Sequence, residues 1–318
     1  MLPVYIIILN YKKWQDTQEC LESVFQSSWI DFSVIVIDND SQNNSLKHLM
    51  HWVNKRSGND QSTATLPHSY TFMKKEDLDD LFNPSSLSRV TFIQNNSNAG
   101  FAAGINIALH TLQDLDAYIW LLNPDMVVTE NTLAELVAFA DRHPLNAITG
   151  ATIKSYSGNR ELLFYGGSKV NFLSATVSLI KDTGSFHQLD YISGGCLFTH
   201  TSNWKKWGLL PEEYFLYWEE TDWCYRARQG GCVLYVCTTA ICYDKISTVI
   251  GKNFMANYYY ARNGLLFVSK FRKKNIPVVL FFLGIRFLKR IVTGRWARAG
   301  GIFRGSIDFF KMKPYEVK

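Results

Sequence analysis

Val90-Thr-Phe-Ile-Gln94-Asn-Asn-Ser-Asn98-Ala-Gly100-Phe-Ala-Ala-Gly104-Ile-Asn106 continues through Leu112 to Ala117-Tyr-Ile-Trp-Leu-Leu122-Asn-Pro-Asp125, and this stretch decides the fold. Val90–Gln94 and Ala117–Leu122 are apolar runs of strand length, as expected of strands buried on both faces. Phe101–Leu112 between them has the spacing of a helix. A buried strand, a helix and a second buried strand predict parallel strands joined by a crossover.

The same alternation holds to either side. Val4–Leu9 and Ser33–Ile37 read as two more buried strands. Trp14–Gln26 is a helix with Trp14, Cys20, Leu21, Val24 and Phe25 on one face, and Leu46–Val53 is a shorter one. Thr129–Arg142 reads as an amphipathic helix with Thr129 as its cap. Residues 54–88 are rich in Ser, Asn, Asp and Lys without a sustained period, which predicts a long surface insertion with a brief helix near Lys75–Leu81. The expected class is α/β, a mixed central sheet flanked by helices.

Composition narrows the function. The chain has 318 residues and a formal charge of +5, but residues 265–318 hold 13 Lys/Arg against 2 Asp/Glu, leaving residues 1–264 with a net of −6. No run approaches the roughly 18 apolar residues of a membrane span. Six cysteines without a CxxC pair argue against a disulfide framework or structural zinc and for free thiols in a reducing, cytoplasmic setting. The apolar run at the N-terminus reads as a first strand, with no signal peptide expected.

In parallel sheets, ligands bind beyond the C-terminal strand ends. Here those ends carry Asn10 and Tyr11, then Asp38 and Ser41, then Asn95 through Gly100, then Asn123-Pro124-Asp125. Such a set suits a polar ligand with many hydroxyls, although Asn and Asp are also ordinary turn formers. Gly100 through Gly104 opens a helix after a strand, where exposed N–H groups can meet phosphate oxygens. It is neither GxGxxG nor a P-loop.

These motifs, in this order, resemble the bacterial family 2 glycosyltransferases: Asn10-Tyr11, Asp38-Asn39-Asp40-Ser41, Asn98-Ala-Gly-Phe-Ala-Ala-Gly-Ile-Asn106 and Leu122-Asn-Pro-Asp125. Gly194-Gly195-Cys196 and Tyr214-Phe-Leu-Tyr-Trp218-Glu219-Glu220-Thr221-Asp222-Trp-Cys-Tyr-Arg226 extend the likeness, which covers about residues 3–264 and is nearest to the rhamnosyltransferase-like branch. The resemblance implies a GT-A fold, with residues 1–125 a nucleotide-sugar half and 126–264 an acceptor half. It implies donor binding by Asn10, Tyr11, Asp38, Ser41, Asn98, Gly100, Asn123, Asp125 and Arg262. Asp125 stands at the family's Asp-x-Asp-type position and would be a ligand for Mg²⁺ or Mn²⁺; from the residue alone it reads as a turn former or cap ahead of Thr129.

An inverting transfer needs a base for the acceptor hydroxyl. Glu219, Glu220 and Asp222 form the dense acidic group of the second half. On a helix starting near Trp218, Glu219, Asp222 and Arg226 share a face and Glu220 points elsewhere. The resemblance makes Glu220 the base, ahead of Glu219 and Asp222, although most relatives carry Asp there; acids at a helix start also simply favour its dipole. The family commonly has a metal-binding His in the stretch that here reads Ala240-Ile-Cys-Tyr-Asp244. No His follows His200, so Asp244 is expected to substitute as ligand. Trp204, Trp207, Trp218 and Trp223 include either a sugar-stacking platform or plain aromatic core.

Residues 265–318 interleave Phe, Leu and Trp with Arg and Lys, which fits helices lying on an anionic membrane surface or a helical pair packed on the body with a solvated basic face. No nucleic-acid motif accompanies the basic residues. The resulting expectation is an enzyme peripheral to the inner face of a bacterial cytoplasmic membrane. It would transfer rhamnose from dTDP-rhamnose to a lipid-linked glycan in O-antigen or capsule assembly. A non-catalytic sugar-nucleotide or glycan-binding relative is the alternative.

Overall fold

The structure, a computed structural model, describes residues 2–56, 67, 69–78, 88–245 and 253–312. Its centre is a sheet of ten strands. The strands are β1 (Val4–Asn10), β2 (Phe32–Asp38), β3 (Thr71–Lys74), β4 (Val90–Gln94), β5 (Tyr118–Leu122), β6 (Met126–Val128), β7 (Ala147–Ser155), β8 (Leu162–Phe164), β12 (Cys196–His200) and β13 (Val233–Asp244). They lie in the order β3-β4-β2-β1-β5-β12-β7-β13-β6, with β8 paired to β7. The first five positions are parallel, β12 runs antiparallel to both neighbours, and β13 is again parallel to β7. A small sheet of β9 (Gly167–Asn171), β10 (Thr176–Leu179) and β11 (Tyr191–Ile192) stands beside it.

Strand alternation builds two cores. Tyr5, Ile7 and Leu9 of β1 face the helices α3 (Phe101–Leu112), α6 (Glu219–Gln229) and α7 (Phe254–Phe271). Val4, Ile6 and Ile8 face α1 (Trp14–Phe25), α2 (Ser45–Arg56) and α4 (Thr132–Ala140). The chain also forms α5 (Thr201–Trp207), α8 (Ile276–Val292) and α9 (Trp296–Lys311). Trp204 and Trp223 stack at 3.9 Å, fully buried, so these two are core rather than platform. All six cysteines are free and buried.

Four expectations are corrected. Residues 54–88 are not only an insertion: α2 runs to Arg56, and Thr71–Lys74 adds an edge strand to β4. The brief helix there is a single turn over Lys75–Asp77; residues 57–66, 68 and 79–87 lie outside the described residues, as do 313–318 of the tail. Thr129 caps no helix, because Met126–Val128 is a strand and α4 begins at Thr132, whose hydroxyl accepts the Thr129 N–H at 2.9 Å. A boundary at 264 falls inside one helix, since α7 buries Leu265, Leu266, Phe267 and Val268 in the main core.

Candidate active site

The polar strand ends meet at one edge of the sheet. Asn10 and Asp38 are register partners on β1 and β2, and Asn10 Nδ2 donates to Asp38 Oδ1 at 2.5 Å. The Ser41 hydroxyl donates to the same oxygen at 2.6 Å and its N–H to Asp38 Oδ2 at 3.1 Å. Thr17 donates to Asn10 Oδ1 at 2.8 Å. Next along the edge, Asn39 Nδ2 donates to Asn98 Oδ1 at 2.9 Å and to the Gly100 carbonyl at 3.1 Å, while Asn95 donates to Asn39 Oδ1 at 2.9 Å. Buried side chains with several fixed partners hold one rotamer, so this wall is preorganised. Tyr11 is half-buried just beyond it, with the Lys12 ammonium 5.0 Å above its ring.

The turn after β5 carries Asn123 and Asp125. The Asn123 N–H donates to the Gly195 carbonyl at 3.1 Å, and Lys245 N–H donates to the Asp125 carbonyl at 3.1 Å. Because β6 pairs with β13, Asp244 sits opposite Met126, one residue from Asp125. Burial first, and then the charge of Asp244, push the Asp125 carboxyl up to about 6. Two mutually repelling carboxylates suit a divalent ion whose other positions are filled by phosphate and water oxygens. The residues therefore fit Mg²⁺ or Mn²⁺, although among the described residues no group of three His, Cys, Asp or Glu forms a metal cage. Lys245 pairs instead with Asp16 at 2.9 Å and Glu19 at 2.6 Å.

The acidic residues of α6 divide between two jobs. Glu220 lies across Gly194: a Cβ at 194 would stand 3.5 Å from its Cβ and Cγ, and one at Gly195 would stand 3.2 Å from Asn123 Nδ2. The two glycines thus bring Glu220 and the Asn123–Asp125 turn to one place. Burial raises the Glu220 carboxyl above its ordinary range, against backbone hydrogen bonds that include one at Gly194. Glu219 is raised well above it, by burial and then by the charge of Glu220. One carboxylate oxygen of each acid is buried with no hydrogen-bond partner. Asp222 faces away, fully buried. It accepts from Tyr214 at 2.7 Å, Lys270 at 2.8 Å and Arg226 at 2.6 Å, which makes it the centre of a structural ion network rather than a group at this site.

The link between this polar wall and the acids is the loop Phe215–Trp218. Phe215, Tyr217 and Trp218 all have left-handed backbones, with φ of 65°, 65° and 79°. Phe101 N–H donates to the Phe215 carbonyl at 2.7 Å, and Gly100 (φ 103°) packs so closely on Phe215 that a Cβ would run into its carbonyl. Asn263, fully buried on α7, donates to the carbonyls of Tyr214 and Leu216 at 2.7 Å and of Tyr217 at 3.0 Å. Arg262 donates to the carbonyls of Glu213 and Tyr214 at 3.0 and 2.8 Å, so its guanidinium holds this loop. Sequence reasoning passed over Asn263; the signal was an amide among Ala261, Leu265 and Leu266 on a core-facing helix.

Comparison with known proteins adds what geometry leaves open. Residues 75–203 match the family described as Glycosyl transferase family 2. That segment contains α3, the Asn123–Asp125 turn and Gly194–Gly195. The low-salt glycan biosynthesis hexosyltransferase Agl10 of Haloferax volcanii is 26% identical over 148 residues, 44% of this chain and 47% of the relative. The chain thus spans about half the length of that relative. Staphylococcus aureus TarS 1-349 in complex with UDP-GlcNAc superposes with a TM-score of 0.56 at 14% identity, over 98% of this chain and 81% of that one. Mannosyltransferase PcManGT from Pyrobaculum calidifontis, in complex with GDP-Man and Mn²⁺, gives 0.54 at 11%, over 97% and 87%. The fold is that of the GT-A glycosyltransferases.

Proposed function

We propose that the chain is an inverting hexosyltransferase using a nucleoside diphosphate sugar, with dTDP-rhamnose as the favoured donor. The acceptor is a lipid-linked glycan of surface-polysaccharide assembly. The observation that carries this reading is the adjacent pair Gly194–Gly195, the first packed on Glu220 and the second on Asn123 of the turn at the end of the donor wall.

The residues divide the work. The Asn10–Asp38–Ser41 network and the Asn39–Asn98–Gly100 edge supply fixed polar groups for the base and ribose, and the loop over Gly100 closes one side. Asp125 and Asp244 would hold Mg²⁺ or Mn²⁺, which when bound offsets charge on the departing diphosphate. Glu220 accepts the proton of the attacking acceptor hydroxyl; its raised affinity for a proton makes it a stronger base than a solvated carboxylate. Glu219, deeper and harder to ionise, keeps its proton while Glu220 is charged. The match to a hexosyltransferase and the UDP-GlcNAc and GDP-Man in the two solved relatives support the donor class. The basic helices after residue 271 would keep the enzyme at the inner face of the cytoplasmic membrane, where such acceptors are anchored.

A panel of nucleotide sugars with Mn²⁺, read by thermal protection and by release of nucleoside diphosphate, tests this. The expected result is protection by a nucleoside diphosphate sugar, dTDP-rhamnose foremost, with slow hydrolysis in the absence of acceptor. Indifference of the melting temperature to every donor would refute it.

A further inference from the structure

Helix α8 carries two arginines on its body-facing side and apolar residues on its exposed side. At about 100° per residue, Val279, Leu283, Arg286 and Arg290 fall on one narrow stripe. Val279 and Leu283 are buried against the body, and the stripe then continues into two arginines whose Nε atoms are buried and lack a hydrogen-bond partner. The opposite face carries Phe281, Ile285, Leu288 and Val292, exposed by 66%, 46%, 60% and 86%. A soluble helix keeps its charge outward and its apolar groups inward; α8 has apolar groups on both sides and two arginines inward.

Neither arginine is neutralised. Arg286 has a long 3.4 Å contact to the Ser174 carbonyl and lies 5.8 Å from the Tyr260 ring, and among the described residues neither forms an ion pair. Burial lowers the pKa of Arg286, with Tyr260 opposing and the charge of Arg290 adding to the effect. Two guanidiniums with buried, unpartnered Nε atoms that repel one another cost stability unless an anion joins them. Tyr260 connects them to the active site: its ring is 5.6 Å from that of Trp218, the residue preceding Glu219.

We propose that Arg286 and Arg290 bind the diphosphate of a lipid-linked acceptor, with the lipid chain lying along the exposed apolar face of α8. This rests on the transfer reading above and adds to it where the acceptor is held. Two forked cations match a group bearing two negative charges, whereas the phosphodiester of a bulk phospholipid carries one. The apolar face on the other side of the same helix supplies a surface for hydrocarbon, and no described helix is long and apolar enough to cross the bilayer itself. A diphosphate seated there lies on the side of the helix that meets Tyr260, whose ring packs 5.6 Å from Trp218 ahead of the acid pair.

The test is flotation of the full chain with three kinds of vesicle: phosphatidylcholine alone, phosphatidylcholine with a prenyl diphosphate, and phosphatidylcholine with phosphatidylglycerol at matched charge. The wild type is expected to bind the prenyl diphosphate vesicles at least about tenfold more tightly than the matched phosphatidylglycerol vesicles. Arg286→Gln with Arg290→Gln should abolish that preference, leave binding to phosphatidylcholine alone unchanged and not lower the melting temperature. Equal binding of the wild type to both charged vesicles, or a double variant that keeps the preference, would overturn the proposal. Donor hydrolysis without lipid is measured in parallel. If hydrolysis is absent and the preference present, the arginine site stands and the transfer reading fails; hydrolysis without the preference is the converse.

Discussion

Replacing Asn263 by Ala probes how the acid pair is positioned. The amide donates to three carbonyls of one loop, and only that of Tyr214 keeps another donor, Arg262. Two carbonyls left short cost about 2–4 kcal/mol together. Against this stands the strain that the amide holds in place: three left-handed residues at about 1–2 kcal/mol each, or roughly 3–6 kcal/mol in all, which the loop sheds on relaxing. The two quantities nearly cancel, so global stability should move by no more than about 1–2 kcal/mol, a shift of a few degrees in melting temperature. The loop leads directly into α6 and its Glu220, however, and a displacement of about 1 Å from productive geometry costs on the order of 100-fold in turnover. Thermal unfolding and donor turnover on the same preparation separate the two effects. A variant that melts more than about 10 °C lower yet turns over like the wild type would refute the reasoning, because Asn263 would then be a plain core residue.

The ion network behind the site gives an opposite pattern. Lys270→Met removes one of the two cations on Asp222, which is 0% exposed and keeps Arg226, and should cost about 1.5–3 kcal/mol in urea unfolding with an unchanged slope; a loss below about 0.5 kcal/mol would contradict the assignment. Glu219→Gln tests the raised carboxyl. A folded-state pKa above the unfolded one means the native state binds the proton more tightly. Its contribution to stability is therefore full below the ordinary carboxylate range and declines as pH rises through the raised value. The variant should match the wild type near about pH 4 and melt increasingly higher than it toward about pH 9, and parallel melting curves across that range would remove the argument.

Much of the fold is legible because β1, β2, β4 and β5 are continuous apolar runs, buried on both faces and separated by amphipathic helices. The edge strand Thr71–Lys74 escaped because it is four residues long with alternating exposure, and its pairing partner lies beyond a polar stretch. The strand Met126–Val128 is not legible in the sequence because three residues show no period. At the site, the strand-end residues came together as expected, since a parallel sheet aligns its C-terminal ends whatever the side chains are. The acids of α6 were harder to sort. Helical spacing puts Glu219, Asp222 and Arg226 on one face and Glu220 on another; Asp222 and Arg226 do pair, but Glu219 lies with Glu220, whose charge raises its carboxyl. What identifies Asp222 as structural is Lys270, 48 residues away on α7, a contact no local pattern encodes. Arg262 is placed by the same kind of long-range contact, to the carbonyls of Glu213 and Tyr214.

The central claim, that Glu220 is the base of a sugar transfer, is tested most directly by Glu220→Gln assayed for both donor binding and transfer. The amide keeps the shape of the side chain and removes only its capacity to take a proton. The account predicts donor binding equal to wild type and transfer reduced by about 10²–10⁴-fold. Transfer within a few-fold of wild type would contradict it.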